Sequence, residues 1–164
     1  MTESLILPEA AGKAETYAAL LPQVESVIAA EDDLIANLAN VAAMLKAAFD
    51  FHWVGFYRAV EPELLVLGPF QGPLACTRIP FSRGVCGAAA RGRRTVVVPD
   101  VDAFPGHIAC SSLSRSEIVV PLVAAGETRL VLDIDAAEPD AFDDTDRDQL
   151  EILVGMIKAR HWGV

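Results

Sequence analysis

Basic side chains are scarce in this chain. Its 164 residues include 13 Lys and Arg against 23 Asp and Glu, which gives a formal net charge of -10. Such a charge repels a phosphate backbone unless a local basic face exists. The one basic cluster, Arg91, Arg93 and Arg94 with Arg83 nearby, has no interleaved aromatic residues, and we interpret it as a solvated turn. Nucleic acid is therefore not an expected partner.

Long apolar runs are also missing. No run approaches the roughly 18 residues that are needed to span a bilayer. The N-terminal segment MTESLILPEA has an acidic residue and no basic one ahead of a short apolar patch, which Pro8 interrupts, and this is unlike a secretory signal. We therefore expect no membrane partner and a cytoplasmic location. The length suits a single domain over residues 1–164, with residues 1–12 as a loosely ordered arm.

Cysteine is rare, and the three that occur are Cys76, Cys86 and Cys110. An odd number in a sequence of intracellular character disfavours a static disulfide framework. This leaves buried structural residues, metal ligands or redox chemistry. His107 lies three residues before Cys110 and could ligate zinc with the cysteines, but the cysteine separations of 10 and 24 residues lack the close pairs of structural zinc sites. We therefore expect no bound metal.

Apolar periodicity predicts four helices. Residues 16–30 and 33–49 carry apolar side chains at helical spacing, and Asp32 or Asp33 is a suitable N-cap for the second helix. The segment GVCGAAARG (84–92) predicts a short helix with Gly92 just past its end. The final segment, 142–162, begins with acidic and ends with basic residues, as a helix dipole favours.

β-rich runs predict about six strands. The runs cover residues 52–60, 63–71, 75–81, 95–101, 117–125 and 129–135. Turns are predicted at Glu61 and Pro62 and at Gly126 and Glu127, so neighbouring strands should pair antiparallel. The expected fold class is α/β of the α+β type, with a central antiparallel sheet and with helices packed on one of its faces.

Three carboxylates could meet on this sheet. Side chains alternate along a strand, so Asp133 and Asp135 of LDID (132–135) share a face; they either face solvent, which is the simpler interpretation, or form a site. Glu117 opens the preceding strand and could lie level with either residue. Converging like charges raise the pKa of at least one member. A protonated acid could then donate to a substrate oxygen while an ionised neighbour holds an ammonium.

Aromatic residues cluster in the first strand. Trp53 and Tyr57 are four residues apart and share a face, and Phe56 points the other way. Such residues are more often core than pocket, although either Trp53 or Tyr57 could wall a ligand cavity. Cys110 lies in the irregular segment 102–116, the kind of loop where functional groups tend to occur.

Six segments in order resemble the GAF-type free methionine-(R)-sulfoxide reductases: HWVGFYRAV, LVLGPFQGPLACTRI, GVCGAAA, FPGHIAC, SEIVVPL and VLDID. The resemblance runs from about Trp53 to the final helix, roughly two thirds of the chain. It implies an antiparallel GAF sheet flanked by helices and a homodimer. It also implies action on the free amino acid without a cofactor, with thioredoxin or a similar dithiol as reductant.

The resemblance also implies roles for the cysteines. Cys110 would be the nucleophile that attacks the sulfoxide sulfur. Cys76 would resolve the resulting sulfenic acid as a disulfide, and Cys86 would assist recycling or substitute as the resolving residue. The family's acidic pocket corresponds to Glu117, Asp133 and Asp135. A thiol facing these acids should have a raised pKa, so His107, backbone amides near Cys110 or the substrate ammonium would have to favour the thiolate.

The chain departs from the family pattern at three positions. Ser111 replaces an acidic residue directly after the nucleophile, Asp102 stands where a histidine is expected, and Leu130 replaces a glycine. These departures affect expected pocket shape and rate more than reaction class. Because fold alone does not fix function, the alternative is a non-catalytic GAF sensor that binds a small ligand or responds to oxidants. A structural domain with incidental cysteines is the third possibility.

Overall fold

The computed structural model describes residues 4–108 and 111–163, so Cys110 lies outside the described residues. The α-helices are α1 (Lys13–Ala29), α2 (Leu34–Phe49), α3 (Gly84–Gly92) and α4 (Asp144–Trp162), and a 3-10 turn covers Val101–Ala103. The strands are β1 (Trp53–Glu61), β2 (Leu64–Gln71), β3 (Arg78–Pro80), β4 (Val96–Val98), β5 (Ser116–Ala124) and β6 (Glu127–Ala136). Within these residues, no helix combines the length and apolar composition that crossing a membrane requires.

Side-chain caps set the starts of two helices. The Asp33 carboxylate accepts a hydrogen bond of 2.8 Å from the Ala36 amide at the start of α2. At α4, Asp143 and Asp146 form a reciprocal capping box. Each cap satisfies amides that have no partner within the helix. The prediction of an aspartate cap before the second helix is confirmed at Asp33.

The six strands form one antiparallel sheet in the order β3-β2-β1-β6-β5-β4. This confirms the predicted α+β class with its six-stranded antiparallel sheet. β1 lies at the centre, between β2 and β6. The long hairpin β5–β6 and the pairing of β6 with β1 therefore bring the chemistry-bearing strands side by side.

Several boundaries differ from the predictions. The β5–β6 turn lies at Ala125 and Gly126, because Glu127 already belongs to β6. The last residue of α3 is Gly92, and the left-handed residue that ends it is Arg93, with φ 53°. The third and fourth predicted strands shrink to three residues each, since only those residues find a partner strand.

The prediction that the helices cover one face of the sheet is wrong for α3. Helices α1, α2 and α4 pack on one face over the larger core, whereas α3 packs on the opposite face over a second core. On β6, Leu132 and Ile134 point into the larger core and Val131 into the second core. Both faces of this strand are therefore shielded from water. The small side chains of α3, Ala89 and Ala90, let the helix lie close to the sheet.

The sheet leaves no space for a side chain at Gly55 on β1. A Cβ atom at this position would lie 2.3 Å from Phe70 Cβ and 2.7 Å from the Trp53 ring. The Phe70 backbone cannot retreat without disturbing the β1–β2 ladder. We therefore expect Gly55→Ala to lower the free energy of unfolding by about 1–3 kcal/mol, as measured by denaturant titration.

The matched control is Gly155→Ala in α4, where a Cβ atom would meet nothing within 4 Å. Because alanine favours a helix interior over glycine, this variant should gain up to about 1 kcal/mol of stability. If Gly55→Ala were as stable as Gly155→Ala, the close packing at β1 would not be a constraint on stability.

Candidate active site

Strand register brings the three predicted acids together. Glu117 on β5 pairs with Asp135 on β6, and Asp133 pairs with Val119 on one side and with Gly55 on the other. Because alternate residues of a strand share a face, Glu117, Asp133 and Asp135 all lie on the side covered by α3. The three carboxyl groups line one pocket.

These acids do not face solvent, so the simpler interpretation of LDID is wrong. Glu117 and Asp133 are each 6% exposed, and Asp135 is half-buried. The cause is α3, which sequence reasoning had assigned to the opposite face. Carboxyl groups with this degree of burial are rare unless they are paired or serve a site.

Burial and mutual repulsion change the ionisation of the cluster. Desolvation, with added repulsion from Asp133 and Asp135, raises the pKa of Glu117 well above its usual range. Desolvation also raises the pKa of Asp133, to about 6, although hydrogen bonds from Cys86 and Glu117 to its ionised form oppose the rise. The cluster therefore resists full ionisation, so that one carboxyl group can keep its proton while a neighbour ionises. Closely spaced acids with separated pKa values suit distinct acid and base roles.

Asp135 is the third member, and its surroundings include a residue that sequence reasoning missed. Desolvation and the charge of Asp133 raise the pKa of Asp135 well above its usual range, while a hydrogen bond with Ser114 lowers it. Ser114 is 8% exposed and lines the same pocket. It lies in the irregular segment before β5, where no periodicity could have indicated its direction.

Cys86 enters the pocket from the first turn of α3. Its side chain is 3% exposed and is a free thiol. Desolvation and the nearby charges of Asp133 and Glu117 raise its thiol pKa well above the usual value. Because thiolates and not thiols are nucleophilic, Cys86 is a weak nucleophile in this setting.

Two aromatic residues form a wall of the pocket and support the segment that carries Cys76. The rings of Trp53 and Tyr57 stack with centroids 5.8 Å apart. Trp53 Nε1 donates to the Pro73 carbonyl at 3.1 Å, and the Tyr57 hydroxyl donates to the Cys76 carbonyl at 3.0 Å. Cys76 is half-buried and is not a free thiol. The aromatic pair is thus both core and pocket wall.

The loop that precedes residues 109–110 is hydrogen-bonded to the start of α3. The Gly84 amide donates to the Gly106 carbonyl at 3.1 Å, and Gly84 has φ +69°, a conformation that favours glycine. A Cβ atom there would meet Ile108 at 3.3 Å. This contact places His107 in the pocket wall, with Nε2 3.9 Å from Glu117 Oε2.

Comparisons with known proteins identify the family of this chain. A model of the GAF domain family matches residues 29–158. GAF domain-containing protein A of Dictyostelium discoideum is 52% identical over 145 residues, covering 88% of this chain and 92% of that protein. The free methionine-R-sulfoxide reductase of Escherichia coli strain K12 is 44% identical over 147 residues, covering 89% and 88%.

A solved structure is also similar along almost the whole chain. The X-ray structure of free methionine-R-sulfoxide reductase from Neisseria meningitidis, in complex with its substrate, is 56% identical, with a TM-score of 0.91 and coverage of 96% of this chain and 95% of that one. The chain belongs to the GAF-type free methionine-(R)-sulfoxide reductase family. The family resemblance deduced from the sequence is therefore confirmed.

Two of the three departures from the reductase family pattern lie away from the pocket. Leu130 is fully buried in the larger core on the opposite face of the sheet, and Asp102 is exposed in the 3-10 turn. Ser111 does line the pocket, and its hydroxyl forms a 2.9 Å hydrogen bond with His52 Nε2. Only Ser111 can therefore alter the reductase pocket directly, and His52 is a second residue that the sequence analysis missed.

Proposed function

We propose that this chain reduces free methionine-(R)-sulfoxide to methionine, with Cys110 as the nucleophile. The observation that carries the proposal is the buried pair of Glu117 and Asp133, each 6% exposed in one pocket, where desolvation raises the pKa of both carboxyl groups. The proposed substrate follows from two relatives: the reductase of Escherichia coli, at 44% identity, and the substrate-bound reductase of Neisseria meningitidis, at 56% identity. A sulfoxide oxygen leaves only after protonation, and we assign this proton to Glu117.

The reaction balances with these groups. The Cys110 thiolate attacks the sulfoxide sulfur while a proton from Glu117 passes to the sulfoxide oxygen. A sulfur–sulfur bond forms first. The protonated oxygen then moves to the Cys110 sulfur as the sulfur–oxygen and sulfur–sulfur bonds of the adduct break, so that methionine departs and Cys110 becomes a sulfenic acid. The sulfur of the substrate is reduced and the sulfur of Cys110 is oxidised. Glu117 recovers its proton from solvent before the next turnover.

The acid cluster also suits the substrate ammonium. Asp133 Oδ1 is buried and has no hydrogen-bond partner among the described residues. A buried carboxylate oxygen without a partner is costly, and an ammonium donor would satisfy it. We therefore propose that Asp133 and Asp135 bind the amino group, and that Trp53 and Tyr57 enclose the apolar part of the substrate.

Cys76 is the proposed main resolving cysteine. Its sulfur condenses with the Cys110 sulfenic acid to give a disulfide and water, and thioredoxin or a similar dithiol then restores both thiols by exchange. Cys86 is the alternative, but its burial and raised thiol pKa disfavour it. The homodimer implied by the family resemblance and the cytoplasmic location expected from the sequence stay predictions.

Substrate entry requires the pocket to widen. Its volume is about 40 Å³, which admits a few water molecules and not a whole methionine sulfoxide. Leu74 and Ala75 form part of the wall and belong to the irregular segment between β2 and β3. Leu74 is 90% exposed, so its side chain can move without uncovering the core.

The test is NADPH oxidation coupled through thioredoxin and its reductase. Free methionine-(R)-sulfoxide should be turned over, whereas the free S epimer and a peptide-bound sulfoxide should not. Cys110→Ser should abolish methionine release, and Cys76→Ser should permit about one turnover. Activity on none of the three substrates, or on the S epimer alone, would refute the proposal; sulfoxide binding without turnover would support the sensor hypothesis instead.

A further inference from the structure

Three potential metal ligands converge in the pocket from three different elements. Cys86 Sγ on α3, a Glu117 oxygen on β5 and an Asp133 oxygen on β6 all lie within 4.8 Å of one another. All three residues are buried. Because a helix and two paired strands hold them, their approach does not depend on a flexible loop.

A second observation is that, among the described residues, this cluster has an unpartnered buried carboxylate oxygen and no lysine or arginine beside it. Asp133 Oδ1 has no hydrogen-bond partner among the described residues, and the side chain is more than nine-tenths buried in the pocket. His107 Nε2 lies 3.9 Å from Glu117, beyond hydrogen-bond distance. Among the described residues that line the pocket, there is no lysine or arginine. A cation that enters the pocket therefore meets an uncompensated acidic cluster.

The ligand types favour zinc over hard cations. Zn²⁺ accepts cysteine sulfur and carboxylate oxygen at about 2.0–2.3 Å, whereas Ca²⁺ and Mg²⁺ prefer oxygen ligands alone. Deprotonated Cys86, Glu117 and Asp133 would carry three negative charges, which a divalent cation offsets better than a single ammonium does. Three protein ligands leave a fourth position for water, as in open zinc sites.

We propose that Cys86, Glu117 and Asp133 bind Zn²⁺ when the cysteines are reduced. Binding releases the Cys86 thiol proton and the Glu117 proton to the buffer, without change in oxidation state. The sequence analysis considered His107 and the cysteines as zinc ligands. The proposed site shares only Cys86 with that set. It also departs from the expectation that the chain has no metal site.

The first experiment uses metal binding alone and is independent of any enzymatic activity. Metal-free protein reduced with a phosphine is titrated with Co²⁺, and a thiolate-to-cobalt charge-transfer band should develop with one equivalent and disappear on addition of Zn²⁺. Cys86→Ser should lose the band and lower zinc affinity by more than the 10–100-fold typical of outer-shell changes. Cys76→Ser, which removes a thiol outside the cluster, should retain both.

Two results would overturn the proposal: absence of the band in the reduced wild-type protein, or an undiminished band in Cys86→Ser. Calorimetry in buffers of different ionisation enthalpy gives a second readout, because zinc binding should release protons. A Cys86→Ser variant that unfolds would be replaced by Glu117→Gln, which should also weaken cobalt binding.

Bound zinc has a consequence that rests on the proposed function. It would occupy Asp133, one of the two acids proposed to hold the substrate ammonium, so added Zn²⁺ should raise the KM for methionine-(R)-sulfoxide in the reduced enzyme while kcat is unchanged. If cobalt binds and zinc leaves KM unchanged, the site exists but does not overlap the substrate. If cobalt binds and no sulfoxide is turned over, the proposed function fails and the metal site stands.

Discussion

Replacing Glu117 by Gln is expected to lower kcat for free methionine-(R)-sulfoxide by about 10²–10⁴-fold, the range that a positioned general acid contributes. Gln has the same shape and can still donate a hydrogen bond to Asp133, but it has no proton to give to the sulfoxide oxygen. KM should change little, because Asp133 and Asp135 remain to bind the ammonium. Steady-state kinetics with the coupled thioredoxin assay measure both constants.

The pH profile provides a second measure of the same role. The raised pKa of Glu117 means that the carboxyl keeps its proton well above the range in which an exposed glutamate loses it. Wild-type kcat should therefore persist through that range and fall as pH rises through the raised pKa. This alkaline limb should be absent in Glu117→Gln.

The matched control is Glu127→Gln, which makes the same substitution at an exposed position that begins β6. It should leave kcat and KM unchanged. A Glu117→Gln variant that keeps kcat but raises KM would show that Glu117 binds substrate and is not the acid.

Local sequence signals predicted most elements because each of them depends on nearby residues. The Asp33 cap, the β1–β2 hairpin and the α4 helix follow from patterns within a few positions. Strand ends were predicted less well, since β3 and β4 extend only as far as their neighbours pair. The side of the sheet that α3 covers was not predictable at all, because the segment GVCGAAARG is small and apolar on most of its surface.

The candidate site shows the same limit of local sequence patterns. Alternation along LDID and the hairpin turn placed Glu117 level with either Asp133 or Asp135, and the structure pairs it with Asp135. Whether these acids face water depends on α3, so burial and ionisation could not be obtained from the strands alone. Ser114 was missed because it lies in irregular chain, where no period fixes the direction of a side chain. His52 was included in the predicted first strand, but β1 begins only at Trp53.

The acid cluster lowers the stability of the fold while it serves the proposed function. Desolvated carboxyl groups without a compensating cation oppose folding when they ionise, and the larger core and the sheet must offset that cost. Natural active sites often keep such destabilising groups. Asp133 is the member of the cluster whose ionisation in the folded state, with a pKa of about 6, falls within an accessible pH range.

Asp133→Asn should therefore stabilise the protein and impair substrate binding. Folding raises the pKa of Asp133 from 3.8 to about 6, so the protonated form is favoured in the folded state. The wild-type stability associated with this group is complete below about pH 4 and is lost as pH rises through about 6. At about 1.4 kcal/mol per pKa unit, the variant should gain about 1–3 kcal/mol above pH 7 and nothing near pH 4.

Denaturant titrations at pH 4 and pH 7.5 measure this gain, and the KM for methionine-(R)-sulfoxide should rise because one ammonium ligand has lost its charge. The control is Asp148→Asn on α4, an exposed aspartate whose substitution should leave both quantities within experimental error of wild type. A gain of equal size at both pH values would come from packing, not from ionisation. A loss of stability at pH 7.5 would mean that hydrogen bonds from Cys86 and Glu117 outweigh the desolvation of Asp133.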